Sequence, residues 1–180
     1  MVYILLGEGF EEMEALTPLD LLRRAGIATM TVGLAGKTVY GGHGIGVQAD
    51  ITIEEMDLLA AEMLVVPGGL GGVASIRSCE KAMNALSFAW ENGKWIAAIC
   101  AGPTVLADLH ITDGLHVTCY PGCESQMGDA IVDKNKAFVQ DDLVITGTSA
   151  GCAIPFSLQL IAALKGPQAA QTVANQIVIR

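Results

Sequence analysis

The sequence predicts a doubly wound α/β domain, in which helices cover both faces of a mostly parallel sheet. Short apolar runs alternate with segments of helical periodicity along all 180 residues, which is typical of parallel sheets built from strand–helix–strand units. Apolar residues make up 52% of the chain and charged residues only 16%, as expected when central strands are buried on both faces. The length fits one domain spanning residues 1–180.

The predicted elements follow this alternation from the first residues to the last. Strands are predicted where short apolar runs end in turn residues, at 2–6, 29–34, 63–66, 95–99, 115–119, 137–139 and 143–146. Helices are predicted from apolar periodicity at 11–25, 80–92, 154–164 and 167–176. Pro18 is expected to perturb the first helix, because proline has no N–H for the helical ladder. The glycine-rich segment 41–47 predicts a hairpin.

Charge and composition exclude several classes of partner. The net charge of −9 repels nucleic acid and anionic membranes, so neither is expected as a partner. No apolar run approaches the ~20 residues of a membrane span, and the first residues lack the basic region of a signal peptide. The chain has five cysteines, an odd number, and we expect reduced thiols in a cytoplasmic protein.

Cys100 is the first candidate functional residue. It follows the apolar run 95–99, a predicted strand, and precedes the segment 101–107, which predicts a helix start. A sharp strand-to-helix turn exposes the turn residue at the carboxyl end of the strand. Free backbone N–H groups and the helix dipole there favour a thiolate. The alternative is a small buried hydrophobic residue, the usual state of a free cysteine.

Three acidic residues open the first predicted helix. Glu11 and Glu12 are interpreted as a solvated first turn that complements the helix dipole. Glu14 has a different helical phase, which allows either a solvated position or one facing the Cys100 turn across the strand ends. In the second position its pKa is raised beside a thiolate, so the carboxyl group stays protonated and donates a hydrogen bond to sulfur or relays a proton.

The glycine-rich segment 69–74 follows a predicted strand, as the phosphate-binding turn of dinucleotide sites does. Such a site needs an acidic residue at the end of the next strand, whereas Glu91 lies at a helix end. We therefore expect no nucleotide and no other cofactor. The favoured interpretation is that Gly68 and Gly69 bring backbone N–H groups near the cysteine as an oxyanion-binding site.

A metal site is also disfavoured. His116, Cys119 and Cys123 are residue types that bind zinc, but His116 and Cys119 point to opposite faces of a strand, and no fourth ligand is near in sequence. We expect no metal. His43 is interpreted as an exposed residue of the glycine-rich loop.

The other thiols have structural interpretations. Cys79 and Cys152 are interpreted as packing residues. Cys119 or Cys152 is an alternative as a resolving thiol for an oxidised Cys100, which spacing alone does not decide.

Five motifs in order resemble the ThiJ/PfpI superfamily, within it the branch of the Parkinson-disease-associated deglycase and its bacterial relatives. They lie at 11–14, 22–27, 32–37, 66–69 and 98–103. The resemblance implies a flavodoxin-like sandwich, similar to class I glutamine amidotransferases, and a homodimer. It also implies an easily oxidised nucleophile at Cys100, a protonated partner at Glu14, and an oxyanion-binding backbone at Gly69 and Ala101.

The chain departs from the branch at two places. Tyr120 and Pro121 replace a His-Pro dipeptide, and a phenol is a poor general base at neutral pH. A cysteine protease triad is therefore disfavoured. The segment 147–151, which includes Thr148, replaces a Ser-Arg-Gly-Pro-Gly sequence, so the pocket wall lacks a cation. Tyr120, Pro121 and Thr148 are candidate pocket residues.

Two hypotheses follow from the residues and the resemblance. The first is a cofactor-free enzyme of glyoxalase or protein deglycase type, in which Cys100 attacks a small reactive carbonyl or a glycated protein. The alternative is a redox-sensing or chaperone-like stress protein that works through oxidation of Cys100 to sulfinate.

Overall fold

A computed structural model describes residues 1–179. Its strands are, in chain order, β1 Val2–Leu6, β2 Thr29–Gly33, β3 Thr38–Tyr40, β4 Gly46–Gln48, β5 Ile51–Thr52, β6 Met63–Val66, β7 Trp95–Ile99, β8 His116–Val117, β9 Ile131–Val132, β10 Phe138–Asp141 and β11 Val144–Gly147. Seven of them form one sheet in the spatial order β10, β11, β7, β6, β1, β2, β5. Only β10 pairs antiparallel within it, which confirms the predicted mostly parallel sheet.

Helices cover both faces of this sheet. They are α1 Glu12–Arg24, α2 Leu70–Ser78, α3 Glu80–Glu91, α4 Pro103–Asp108, α5 Ala153–Lys165 and α6 Pro167–Gln176. Side chains of β1 alternate between the faces: Tyr3 and Leu5 join a core cluster with residues of α2, α3 and α4. Ile4 and Leu6 join a second cluster with residues of α1, α5 and α6. This alternation follows from the two-residue period of a strand.

Three details differ from the sequence-based expectations. Segment 69–74 is not only a turn, because α2 begins at Leu70 and its glycines let the helix lie against an earlier loop. A Cβ at Gly72 would stand 2.7 Å from the Cα of Phe10. Pro18 is buried inside a continuous α1, so it does not end the helix. The strand expected at 115–119 is shortened to β8, since Thr118 N–H donates to the hydroxyl of Thr146 (2.8 Å).

The topology brings three loops to one edge of the sheet. β7, β6 and β1 are parallel neighbours, so the loops after them, which contain Cys100, Gly68 and Gly7, lie side by side. Such an edge is where ligands bind in open α/β sheets. Residues 41–45 connect β3 and β4, which pair antiparallel and form the hairpin predicted at 41–47. Within residues 1–179, no helix is long and apolar enough to cross a membrane.

Candidate active site

Cys100 forms a sharp turn between β7 and α4. Its φ angle is +65°, a left-handed conformation that costs energy for a residue with a side chain. Its N–H donates to Gly147 O (2.9 Å), and a Cβ at Gly102 would lie 2.5 Å from Val66 O. The turn therefore holds the Cys100 side chain half-exposed at the strand end, as nucleophile turns of α/β enzymes do.

Glu14 reaches the same place from α1. Its side chain is 0% exposed, and one carboxylate oxygen, Oε2, accepts a hydrogen bond from Gly68 N–H (2.8 Å). The other oxygen, Oε1, is buried without a hydrogen-bond partner. A Cβ at Gly68 would stand 2.5 Å from Glu14 Oε2 and 3.0 Å from Cys100 Sγ, so a glycine is needed where the two side chains meet.

Burial determines how Glu14 titrates. Burial, with a smaller contribution from the charge of Glu11, raises the pKa of Glu14 to about 7. Favourable interactions with Cys100 and with the backbone N–H groups of Gly68 and Ala150 oppose this rise. The carboxyl group therefore exchanges its proton near neutral pH, as a proton relay requires.

Burial also corrects the expectation that the surroundings of Cys100 favour a thiolate. Burial first, and then the charge of Glu14, raise the pKa of Cys100 to about 12. The N–H groups of Ala101 and Gly69 lower it by less. The repulsion is absent when the proton sits on Glu14, because the neutral carboxyl then donates to sulfur. The thiolate thus depends on one proton shared between Cys100 and Glu14.

The predicted oxyanion donors lie at the sulfur. The N–H groups of Gly69 and Ala101 lie near enough to Cys100 Sγ to lower its pKa. Gly69 has a φ of +83°, and a Cβ there would stand 2.5 Å from Gly9 O, so only glycine brings this N–H so close. Two N–H groups converging beside a nucleophile stabilise negative charge on a reacting oxygen.

The predicted pocket residues take different positions. Tyr120 N–H donates to Cys100 O (2.8 Å), which places the Tyr120 backbone beside the turn while its side chain is 48% exposed. Pro121 is exposed next to it. Thr148 bonds through its hydroxyl to Thr118 Oγ1 (2.8 Å) and to Lys136 O, so the scaffold already uses this group.

Comparison with known proteins shows the family of the chain. The DJ-1/PfpI family matches residues 1–163. The chain belongs to this family. It is 33% identical over 179 residues to protein dj-1beta of Drosophila melanogaster, an alignment covering 98% of this chain and 95% of the relative. It is 30% identical over 157 residues to a Pyrococcus abyssi protein named a deglycase, covering 87% and 92%.

Solved structures of DJ-1 proteins share the whole fold. The crystal structure of Drosophila DJ-1beta superposes with a TM-score of 0.93 at 32% identity and covers 99% of this chain and 97% of that one. Toxoplasma gondii DJ-1, described as oxidized, gives 0.92 at 28% identity, with 98% and 97% covered. The flavodoxin-like fold expected from the resemblance is confirmed.

A second cluster, next to Glu14 on α1, is not predicted by the sequence. Glu12 is not solvated: it is only 5% exposed and accepts hydrogen bonds from the backbone (2.8 Å) and ring (2.7 Å) of His43. Glu11 lies 3.7 Å from the same ring. The acidic doublet of the sequence contains no signal for this pairing, because His43 arrives from the β3–β4 hairpin.

The ligand-type groups of Glu11, Glu12 and His43 lie within 4.8 Å of one another. Across the described residues this is the one such cluster of three, and it does not include His116, Cys119 or Cys123. The hydrogen bonds of Glu12 to His43 account for its contacts, so the cluster is explained as a clamp between hairpin and helix.

Proposed function

We propose that this chain is a cofactor-free cysteine enzyme of glyoxalase or deglycase type that acts on reactive carbonyls such as methylglyoxal. The observation that carries the proposal is the half-exposed, left-handed Cys100 beside a fully buried Glu14 whose pKa is about 7. Addition to a carbonyl needs a nucleophile, a group that transfers protons near neutral pH, and N–H donors that stabilise the oxyanion.

Addition is the first step. The proton of the pair resides on Glu14 as the Cys100 thiolate attacks the aldehyde carbon, forming a C–S bond while the carbonyl electron pair moves onto oxygen. The N–H groups of Gly69 and Ala101 stabilise this oxygen. Glu14 then donates its proton to it, which gives a neutral hemithioacetal and leaves Glu14 as a carboxylate.

Isomerisation and hydrolysis follow. The Glu14 carboxylate removes the proton from the former aldehyde carbon, and a proton is returned to the adjacent carbon, so that the hemithioacetal becomes a lactoyl thioester. Water cleaves the thioester, releasing lactate and regenerating Cys100 with its proton. Methylglyoxal and one water are consumed for each lactate, with no external oxidant or reductant.

A protein adduct of the same carbonyl enters this scheme at the same carbon. Attack by Cys100 on such an adduct displaces the protein amine or thiol, which leaves with the proton supplied by Glu14. The Pyrococcus abyssi relative is named a deglycase, which supports this extension. The side-chain exposure of Tyr120 leaves room for a bulky substrate at the mouth of the site.

We also propose a cytoplasmic homodimer that binds neither nucleic acid nor membrane. The net charge of −9 argues against anionic partners. An apolar groove on α1, lined by Met13, Leu16, Ile45, Ile154 and Ile177, supports association of two copies. Sedimentation at micromolar concentration is expected to give twice the 18.7 kDa chain mass; a species of that mass alone would contradict the dimer.

The second candidate function is redox sensing or chaperone-like action through Cys100 sulfinate. The oxidized DJ-1 structure among the relatives favours it, as does the position of Glu14 and two N–H groups around the sulfur, which can bind sulfinate oxygens. Mild peroxide is then expected to oxidise Cys100 before the other four thiols, as mapped by mass spectrometry.

One assay separates the two functions. Purified wild-type protein is supplied with methylglyoxal and lactate is measured, with Cys100→Ser as the test variant and Cys79→Ser as the matched control. Turnover that Cys100→Ser abolishes and Cys79→Ser retains supports the enzyme. Equal lactate from wild type and Cys100→Ser overturns the cysteine mechanism. No turnover, with stoichiometric peroxide uptake at Cys100, supports the sensor.

A further inference from the structure

Two buried cysteines flank a tight turn after β8. Cys119 and Cys123 are 5% and 8% exposed and belong to the same core cluster. Cys123 N–H donates to Tyr120 O (2.9 Å), so the chain reverses between the two cysteines. They are near enough that a charge on Cys123 raises the pKa of Cys119, although burial is the larger cause. The turn thus places two thiols together inside the protein.

This turn lies directly against the nucleophile. Because Tyr120 N–H donates to Cys100 O (2.8 Å), the peptide bond after Cys119 contacts the peptide bond after Cys100. The Cys100 side chain packs against the core cluster that contains both other cysteines. Cys100 therefore borders the core cluster that contains the pair, and the backbone of its turn contacts the backbone of the turn that carries the pair.

Charged groups brace the turn from outside. Gly122 N–H donates to Glu124 Oε2 (2.7 Å), and Glu124 Oε1 lies 3.3 Å from Lys134 Nζ. The Arg77 cation lowers the pKa of Cys123 against the larger raising effect of burial. Burial and the charge of Glu124 raise the pKa of both thiols, so disulfide exchange within the pair relies on the proximity that the braced turn provides.

We propose that Cys119 and Cys123 are a resolving dithiol for Cys100, which converts a peroxide-oxidised Cys100 back to a thiol and stores the oxidation as a Cys119–Cys123 disulfide. The proposal rests on the reactive Cys100 of the proposed function. It adds a modification site, the Cys119–Cys123 disulfide, and a route that returns oxidised Cys100 to a thiol, neither of which the family resemblance supplies.

Each step balances. The Cys100 thiolate attacks a hydroperoxide, forming Cys100 sulfenic acid and releasing an alcohol, or water from hydrogen peroxide. Cys119 displaces the sulfenic hydroxyl as water and forms a Cys100–Cys119 disulfide. Cys123 then attacks the Cys119 sulfur, and Cys100 leaves as a thiolate that takes up a proton. One hydroperoxide is reduced, and two thiols are oxidised.

The order of attack follows from position. Cys100 is half-exposed and has Glu14 beside it to accept its proton, whereas Cys119 and Cys123 lie in an apolar cluster. A hydroperoxide therefore meets Cys100 first. The resulting disulfide closes a ring around Tyr120, Pro121 and Gly122 and constrains the turn that contacts Cys100.

The test treats the full-length protein with one equivalent of hydrogen peroxide, without reductant, and alkylates the remaining thiols with iodoacetamide. A protease specific for acidic residues cleaves at Asp108 and Asp113, which separates Cys100 from the other two thiols for mass spectrometry. The variants are Cys100→Ser, Cys119→Ala and Cys123→Ala, since alanine suits the buried sites, with Cys79→Ser as the control. Circular dichroism melting curves establish that each variant is folded.

Wild type and Cys79→Ser are expected to form a Cys119–Cys123 disulfide, with Cys100 recovered as an alkylatable thiol. Cys123→Ala is expected to accumulate the Cys100–Cys119 disulfide. Cys119→Ala is expected to proceed to Cys100 sulfinate. In Cys100→Ser the pair is expected to oxidise at least about tenfold more slowly than in wild type, since the first acceptor of peroxide is missing.

Other results overturn the relay. Cys100 sulfinate in wild type, with Cys119 and Cys123 both alkylated, removes the dithiol but keeps the reactive Cys100. Pair oxidation that is equally fast in Cys100→Ser shows direct oxidation without a relay. A wild-type Cys100 that remains alkylatable while no thiol is oxidised overturns both the relay and the redox reactivity on which it rests.

Discussion

Glu12 and Glu14 lie in the same turn of α1 and are both buried, yet their pKa values shift in opposite directions. Burial raises the pKa of both. At Glu12, the hydrogen bond from the His43 ring and those from the backbone N–H groups of Glu12, His43 and Ile45 together outweigh burial, so its pKa lies below the usual range. At Glu14 the partner is a thiol, and burial prevails, raising the pKa to about 7. The chemistry of the partner, and not burial alone, decides the protonation state.

The two carboxyl groups have different roles: Glu12 holds two parts of the structure together, and Glu14 is placed for proton transfer. The charged Glu12 fastens the β3–β4 hairpin to the helix, and a Cβ at Gly41 would overlap its carboxylate. The Glu14 carboxyl has an unpartnered Oε1 and a proton that is exchangeable near neutral pH. Two residues apart in sequence, the carboxyl group of Glu12 is held by His43, and that of Glu14 is free to move a proton.

The largest expected effect is on catalysis. Glu14→Gln keeps the shape of the side chain but loses the proton carrier, and we expect lactate formation from methylglyoxal to fall by roughly 100-fold or more. Glu12→Gln, the matched variant, is expected to stay near wild-type activity. Iodoacetamide alkylation of Cys100 is expected to rise with pH through about 7 in wild type, the value at which Glu14 titrates, and at higher pH in Glu14→Gln. Equal rates in the two variants would remove Glu14 from the mechanism.

Stability is expected to change with opposite sign in the same two variants. The folded pKa of Glu14 is about 7 against 4.5 in the unfolded chain, so its favourable contribution is complete below pH 4.5 and is lost as pH rises through 7. Glu14→Gln is therefore expected to gain about 3 kcal/mol relative to wild type between these limits. Melting temperatures at pH 4.5 and pH 8 measure this gain.

Glu12→Gln supplies the opposite arm of that measurement. The pKa of Glu12 is lowered by His43, so its contribution is present above its unfolded pKa and is lost as pH falls through the folded value. Glu12→Gln is expected to melt below wild type at pH 7, and the difference is expected to shrink in acid. Melting curves of both variants that move in the same direction with pH would contradict the comparison.

A histidine partner on the Cys100 side is expected to give a smaller gain. Glu12 has His43, whereas the turn beside Cys100 offers Tyr120, a poor base at neutral pH. Tyr120→His is expected to raise lactate formation roughly tenfold, because it adds a general base, with Tyr120→Phe separating loss of the hydroxyl from change of the ring. A folded Tyr120→His variant without any gain would exclude this position from proton transfer and favour the sensor.

Much of this site was predictable from local sequence. The order and types of the residues predict the strand–Cys100–helix turn and the glycine-rich loop after β6. A parallel sheet then places both at the same edge. Glu14 was predictable only as one of two alternatives, since helical phase does not fix what a side chain meets. The pKa of the Cys100 thiol was not predictable. The sequence indicates the N–H groups that lower this pKa, but it does not indicate the burial that raises it by more.

Contacts between residues distant in the chain were not predictable from the sequence. The contact of Glu12 with His43 spans 31 residues and joins a helix to a hairpin whose placement depends on the whole fold. Likewise, the first turn of α2 contains Gly71 and Gly72, which have poor helix propensity, and their contact with the loop after β1 forms only in the folded protein. Local sequence patterns predict helices and strands, whereas packing in the folded protein determines which of them are in contact.

The smallest expected effect concerns His43 itself. A hydrogen bond to Glu12, then the charges of Glu11 and Glu12, raise the pKa of His43 above 6.5. Its contribution to stability is therefore complete below pH 6.5 and is lost as pH rises through the folded value. His43→Gln keeps a donor without the charge, and it is expected to lower the melting temperature by about one degree at pH 6 and not at pH 9, since the ring is exposed to solvent. Activity at Cys100 is expected to be unchanged, because the Glu12 clamp takes no part in the chemistry. A difference in melting temperature that does not depend on pH would mean that the His43 ring contributes through its shape and not its charge. A loss of activity in His43→Gln would show that Glu12 and His43 also contribute to the reaction at Cys100 and Glu14.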